Sequence, residues 1–257
     1  MENDGQAPAS ARMKPADIAE AFALLSRLPA GKVAFRGAGS AWAWPLVGAA
    51  VGTIAAVSAS LALWLGLGPA SAAALAIAAQ IAATGALHED GLADCADGFW
   101  GGQDRTRRLE IMKDSRIGTY GVLALVVSFV LRWSLVMSLI GSGHLFAPLI
   151  AAGALSRAPM AALMHVLPNA RGAGLAATTG RPDRETVILS GVWAMLIAIL
   201  LTGFAALPAI LAVALAAGGV AAIAGRRIGG QTGDVLGAAQ QVGESAALMA
   251  LVIAYSN

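Results

Sequence analysis

The chain has 257 residues, of which 58% are apolar and only 12% charged, and its mean hydropathy is +0.72. An ordinary soluble domain carries about 25% charged residues, so this composition excludes a disordered chain and argues against a soluble globular enzyme. A net charge of +2 gives no footing for nucleic-acid binding, and a single cysteine excludes a disulfide framework or a Cys-based zinc site.

From the N-terminus, residues 1–12 read as a loose tail. Ile18, Phe22 and Leu25 stand at helical spacing and predict an interfacial helix. The apolar stretch Phe22 to Leu28 is too short for a secretory core and follows Asp17 and Glu20, so no cleavable signal peptide is expected. Residues 37–88 then form a 52-residue run without Lys, Arg, Asp or Glu. A crossing needs about 20 residues, so the run allows two, turning at Gly66, Gly68 and Pro69. A second uncharged run of 40 residues, 186–225, is broken near Gly203 and Pro208 and allows two more. Spans are expected at 41–65, 69–87, 118–140, 145–167, 187–206, 208–225 and 236–255. These runs are long, rich in Ala and Leu, and do not alternate, so the spans are helices and not barrel strands. The fold class is all-α: a polytopic helical bundle of about seven transmembrane helices, one domain over 1–257, with a cytoplasmic helical loop at 88–117.

Orientation follows from Lys and Arg. With seven spans, the N-terminal arm (Arg12, Lys14, Arg27, Lys32, Arg36), the 88–117 segment, the 168–186 segment (Arg171, Arg181, Arg184) and the turn holding Arg226 and Arg227 fall on one side. The opposite turns, near 66–68, 141–144 and 207, have no Lys or Arg. The basic side is expected to be cytoplasmic, in a bacterial inner membrane. Trp42, Trp44 and Trp64 read as interface anchors, His144 and His165 as structural, and Cys95 as a packing residue.

Residues 88–116 hold seven of the 15 acidic residues. Asp90, Asp94 and Asp97 are spaced four and three, which places them on one helical face. At ~5 Å and an effective dielectric near 20, each close pair repels by roughly 3 kcal/mol. Protonation of one carboxyl relieves this, and so does a cation; an oxygen-only set with open positions suits Mg²⁺ or Mn²⁺ beside a substrate phosphate. The competing reading is a solvated acidic loop. Arg107, Glu110 and Asp114 share the next face, amid Arg108, Lys113 and Arg116. That segment reads equally as a salt-bridged surface helix or as a phosphate clamp. The turn Gly229-Gly230-Gln231-Thr232-Gly233-Asp234 can offer backbone N–H groups to phosphate. Asp234, Gln241, Glu244 and Ser245 share a broad face in the last span, which then lines a cavity or packs inside the bundle. Of the two arginines inside apolar runs, Arg132 reads as structural and Arg157 as the functional candidate.

His88-Glu89-Asp90-Gly91-Leu92-Ala93-Asp94-Cys95-Ala96-Asp97-Gly98 resembles the H-x-D-G-x-x-D-x-x-D-G signature of the cobalamin synthase family, the adenosylcobinamide-GDP ribazoletransferases. Arg108 to Gly118 is similar to the segment that follows it there, and Leu25-Ser26-Arg27-Leu28-Pro29, Pro45-Leu46-Val47-Gly48, Ser156-Arg157 and the 229–234 turn match in order. Cys95 stands where a small hydroxyl residue is expected, and Glu89 where an apolar residue is frequent. The resemblance implies adenosylcobinamide-GDP and α-ribazole or its 5′-phosphate as substrates, adenosylcobalamin or its 5′-phosphate and GMP as products, and Mg²⁺ as cofactor. The residues then assigned are His88, Asp90, Asp94 and Asp97 as catalytic, the three aspartates as metal ligands, and Arg107, Arg108, Lys113, Asp114, Arg116, Arg157, Thr232 and Asp234 as substrate-binding. The sequence allows an oligomer. The rivals are a lipid head-group enzyme of the CDP-alcohol phosphotransferase type, whose D-G-x-x-A-R spacing is absent; a transporter; and a structural membrane subunit.

Overall fold

The computed structural model describes residues 13–256 apart from Lys32 and Ala34; the tail expected at 1–12 lies outside the described residues. Eleven α-helices follow in order among them: α1 Pro15–Leu25, α2 Trp44–Trp64, α3 Pro69–Thr84, α4 Leu87–Gly101, α5 Arg105–Ile111, α6 Thr119–Gly141, α7 Phe146–Val166, α8 Leu175–Thr179, α9 Arg184–Thr202, α10 Ala206–Ile228 and α11 Gly233–Tyr255. A 3-10 turn, Gly37–Ala43, leads into α2. Local chemistry sets several starts: Pro15 and Pro69 stand in first turns, and the side chains of Asp104, Asp183 and Thr232 cap α5, α9 and α11.

Among the described residues, five helical stretches have the length and hydropathy of a crossing: Gly37–Trp64, Thr119–Gly141, Phe146–Val166, Arg184–Ile228 and Gly233–Tyr255. The fourth has 45 residues, about 67 Å if straight at ~1.5 Å per residue. It breaks at the 3-10 turn Gly203–Ala205, and its two ends return to one place: His165 Nδ1 lies 2.8 Å from the Pro182 carbonyl, while the Gln231 N–H donates to the carbonyl of Pro168. It is therefore a hairpin that crosses twice. The expected span 69–87 is corrected. The helix stops at Thr84, Gly85 and Ala86 take left-handed conformations (φ 65° and 60°), and α4 departs at 91°. The acidic segment thus turns out of the spanning direction.

Small residues let the spans approach closely. A Cβ on Gly48 of α2 would lie 2.0 Å from the Gly153 carbonyl oxygen of α7, and one on Gly52 would lie 2.3 Å from that of Leu149. Both obstacles are backbone and cannot rotate away. Gly48→Leu is expected to destabilise the protein by about 3 kcal/mol. Gly218→Leu, where a Cβ meets nothing within 4 Å, is expected to be neutral or mildly stabilising. Denaturant unfolding of both variants in detergent micelles checks the contrast.

Two of the three tryptophans expected as anchors are placed differently, and α1 has a buried polar side. Asp17 and Glu20 of α1 are buried. Glu20 accepts from the Arg36 and Gly37 N–H groups, and Asp17 accepts from Trp42 Nε1 and pairs with Arg36. Helix α1 therefore clamps the entry to α2 through its polar side. Trp42 and Trp44 lie in the core; Trp64 is exposed, as an anchor requires.

Candidate active site

The four basic segments meet at one end of the bundle. The Arg27 N–H donates to the Ala83 carbonyl, Asn169 and Gln231 form a single β-bridge, and Arg105 donates to the carbonyls of Ile228 and Ala170. Here α4 lies directly on the start of α11. A Cβ on Gly91 would stand 2.7 Å from the Asp234 carbonyl oxygen, and one on Gly237 would stand 3.2 Å from His88 Cα. Only glycine allows this backbone-to-backbone contact, and it brings Asp90 and Asp94 toward Asp234 across 140 positions of sequence. A cavity of about 160 Å³ opens there, walled by His88, Asp90, Arg171 and Asp234 on its polar side and by Trp44 and Met160 on its apolar side.

The carboxylates differ in setting. Asp90 is exposed, Asp94 half-buried and Asp97 buried. Burial first, then the negative charges of Asp234 and Asp90, push the Asp94 carboxyl up to about 7, with Arg171 opposing. Asp97 points elsewhere: its two oxygens accept from the N–H groups of Gly118 and Gly121, at 2.7 and 2.9 Å. It caps the start of α6 from outside, meeting orphan amides and the helix dipole. Among the described residues, no three His, Cys, Asp or Glu side chains stand close enough together to enclose a metal ion. The three aspartates expected as one open ligand set are not gathered here: Asp90 and Asp94 lie near Asp234, and Asp97 is spent on α6. His88 lines the cavity with its Nε2 buried and unpartnered. Burial, with Arg157 and Arg132 nearby, holds its imidazole well below the ordinary range, so it is neutral.

Beneath the cavity lies a buried polar network. Arg132 Nη1 stands 3.3 Å from Glu89 Oε1 and donates to Gln241 Oε1 at 2.9 Å; its Nη2 donates to Gln80 Oε1 at 2.6 Å. Glu244 accepts from Gln80 and Gln240. Arg132 thus forms a structural ion pair, as expected. Arg157 belongs to the same network: it donates to the Gly153 carbonyl at 2.8 Å and lies 3.9 Å from Glu244. It does not line the cavity. The polar face of α11 packs inside the bundle.

The basic segment is salt-bridged in this state. Arg107 pairs with Glu110 at 3.0 Å, and Arg116 with the partly exposed Asp114 at 2.6 Å. Helix α5 ends at Ile111, so Asp114 leaves the face it was expected to share with Arg107. Arg116 holds the Asp114 carboxyl down at about 2. Arg108 donates to the carbonyls of Arg227 and Gln103 and ties α5 to the end of α10. Lys113 is exposed and lines a second cavity with Arg105 and Arg171. The 229–234 turn packs against residues 168–170, since a Cβ on Gly230 would lie 2.1 Å from the Pro168 oxygen. Thr232 is buried and donates to Asp234 Oδ2 at 3.2 Å. Two residues gain weight that the sequence did not give them. Arg171 counts there only toward orientation, yet its Nη2 lies 2.8 Å from Asp234 Oδ2. Glu89 figures only as a departure from a pattern, yet it anchors α4 to Arg132. An unusual carboxylate next to the signature was the available signal for Glu89; Arg171 had none.

Residues 17–252 match the model of a protein family described as cobalamin-5-phosphate synthase. A relative from Mesorhizobium japonicum, named adenosylcobinamide-GDP ribazoletransferase, is 43% identical over 244 residues, covering 94% of each chain. Relatives of the same name from Brucella ovis and Brucella canis are also 43% identical, over 251 residues, covering 93% of this chain and 96% of theirs. No solved structure matches the chain. With the family model spanning nearly the whole length, and the signature lying where α4 meets α11, the chain belongs to the cobalamin-5-phosphate synthase family.

Proposed function

We propose that this chain joins adenosylcobinamide-GDP to α-ribazole or its 5′-phosphate. The products are adenosylcobalamin or its 5′-phosphate and GMP, a late step in making vitamin B12. The observation that carries the reading is the meeting of Asp90 and Asp234 at a cavity on the basic end of a membrane bundle, with Asp94 close enough to feel both charges, inside a chain of this family. That end faces the cytoplasm of a bacterial inner membrane in this proposal, since Lys and Arg collect there.

The donor set fits Mg²⁺. This ion keeps several waters and is bound through one or two carboxylates plus substrate phosphates, without an all-protein cage. Asp90 and Asp94 would hold it, with Asp234 opposite; the mutual repulsion that raises Asp94 is what a divalent cation relieves. When bound, Mg²⁺ neutralises charge on the diphosphate and polarises the attacked phosphorus. The chain's own residues supply position. A ribose hydroxyl oxygen of the ribazole, other than the 5′ oxygen that carries phosphate in the 5′-phosphate substrate, bonds to the cobinamide-side phosphorus; its proton is released to water, the bond to the bridging oxygen breaks, and GMP departs. His88 Nε2, unpartnered at the wall, accepts the hydrogen bond of that hydroxyl and orients it. A loose transition state asks for alignment more than for a strong base, which suits a weakly basic imidazole.

The rivals lose support. The intramembrane arginines, the mark of a transport pathway, are occupied by Glu89 and Glu244. A lipid head-group enzyme expels CMP and not GMP. Purified protein given adenosylcobinamide-GDP, α-ribazole and Mg²⁺ is expected to release GMP, and EDTA is expected to reduce the rate at least 100-fold, with recovery on excess Mg²⁺. Release of CMP from a CDP-alcohol substrate, or GMP release indifferent to EDTA, sinks this assignment.

A further inference from the structure

The second cavity, about 350 Å³, lies on the other side of Arg171 from the carboxylates. Arg105, Thr106 and Lys113 line it, and Arg171 lines both spaces. The two spaces have opposite character. One collects carboxylates; the other collects three cations against one acid, Glu110, which is already paired with Arg107.

Arg171 has a fixed backbone and unspent donors. Its N–H donates to the Asn169 side chain at 3.0 Å. The preceding residue, Ala170, donates to the Gln231 carbonyl and accepts from Arg105. The guanidinium is only partly committed: Nη2 pairs with Asp234 at 2.8 Å, and Nε has no acceptor. A planar guanidinium that keeps N–H groups beyond one carboxylate pair is suited to contact with phosphate oxygens. Arg105 is tethered through Nε and Nη2, and the Lys113 ammonium makes no hydrogen bond among the described residues, so both keep donors for an anion. The arginines expected to act as clamps are otherwise engaged: Arg107 with Glu110, Arg108 with two carbonyls, Arg116 with Asp114.

We propose that Arg171, with Arg105, Thr106 and Lys113, forms the subsite for the nucleoside monophosphate half of the diphosphate substrate, the half that leaves as GMP. The inference rests on the transferase reading above. It divides the diphosphate between the two cavities: the attacked phosphate lies beside Asp90 and Asp94, and the departing phosphate lies in the basic space beyond Arg171. Arg171 itself straddles the bond that breaks, where negative charge grows on the leaving oxygen.

The test uses full-length protein in lipid nanodiscs, with Arg171→Gln, Arg171→Lys and the exposed Lys113→Gln. Binding of GMP alone is measured by equilibrium dialysis, and KM separately for each substrate. Arg171→Gln is expected to weaken GMP binding and raise KM for adenosylcobinamide-GDP at least 10-fold, with KM for α-ribazole moving less than 2-fold; Arg171→Lys recovers part of the loss. Lys113→Gln, whose side chain carries no packing, is expected to weaken GMP binding about 3-fold and keeps the test alive if Arg171→Gln fails to fold. Unchanged GMP binding in Lys113→Gln and in folded Arg171→Gln overturns the subsite, as does an equal rise of both KM values. A parent protein that binds GMP but does not release it from adenosylcobinamide-GDP overturns the transferase reading instead.

Discussion

Asp94→Asn protein that folds and inserts normally is expected to release GMP at least about 10³-fold more slowly than the parent chain, close to 4 kcal/mol of barrier. The size follows from position. Asp94 sits between Asp90 and Asp234, and its carboxyl is raised to about 7 by burial and by those two charges. A carboxylate kept in such company costs stability, and an amide removes that cost together with the function. The sign of the pH effect follows. The ordinary value is 3.8 and the folded value about 7, so stability is whole below the lower figure and lost as pH rises through the upper one. Without divalent cation, Asp94→Asn is therefore expected to melt higher than the parent above pH 7 and level with it at pH 4. Asp97→Asn is expected to behave differently. An amide oxygen can replace one of the two acceptor contacts to Gly118 and Gly121, so the loss is ~1–2 kcal/mol of stability with a smaller effect on rate. Thermal melts and GMP release measured on both variants separate the roles. A slow, fully stable Asp97→Asn protein restores Asp97 to the ion-binding set.

Arg132→Met is expected to destabilise the bundle by about 3–5 kcal/mol, because it strands a buried charge. Arg132 is 1% exposed and touches residues from α3, α4 and α11 at once. Glu244 keeps Gln80, Gln240 and Arg157 after the loss. Glu89 keeps only Gln241, and its second oxygen is unpartnered already. The double variant Arg132→Met with Glu89→Leu is therefore expected to regain most of what the single change loses. A double-mutant cycle by chemical unfolding in micelles measures the coupling; additive losses contradict the ion pair as described.

Hydropathy made the spans legible, because a bilayer punishes charge along a whole helix. The 186–225 run and its break at Gly203 are found as expected, as are the polar face of α11 and the structural place of Arg132. The sharp corner after Thr84 was not legible: the spacing of Asp90, Asp94 and Asp97 tells which face they share, not what that face meets. One face of a helix of about four turns can touch two neighbours, and here its upper end meets α11 and its lower end meets α6. Asp97 is captured by amides that belong to another helix, which carry no side-chain signature. Arg171 was equally hidden, since a loop arginine acquires its meaning from Asp234, more than sixty positions away. Trp42 and Trp44 show the same limit. Position near a span end fits an anchor, but Asp17 and the neighbouring helices draw both indoors.

The contact of Gly91 and Gly237 with the opposing backbone has a bearing on how the molecule is born. Four residues that line the cavity, Gly233, Asp234, Leu236 and Gly237, are encoded in the last tenth of the message. A nascent chain that lacks its last helix carries Asp90 and Asp94 but not Asp234, and Glu89 and Arg132 still lack Gln241 and Glu244. Until the final helix packs into place, that buried network is incomplete. A premature stop near codon 230 is therefore expected to leave the Glu89–Arg132 pair short of two partners and to lower the amount of protein in the membrane.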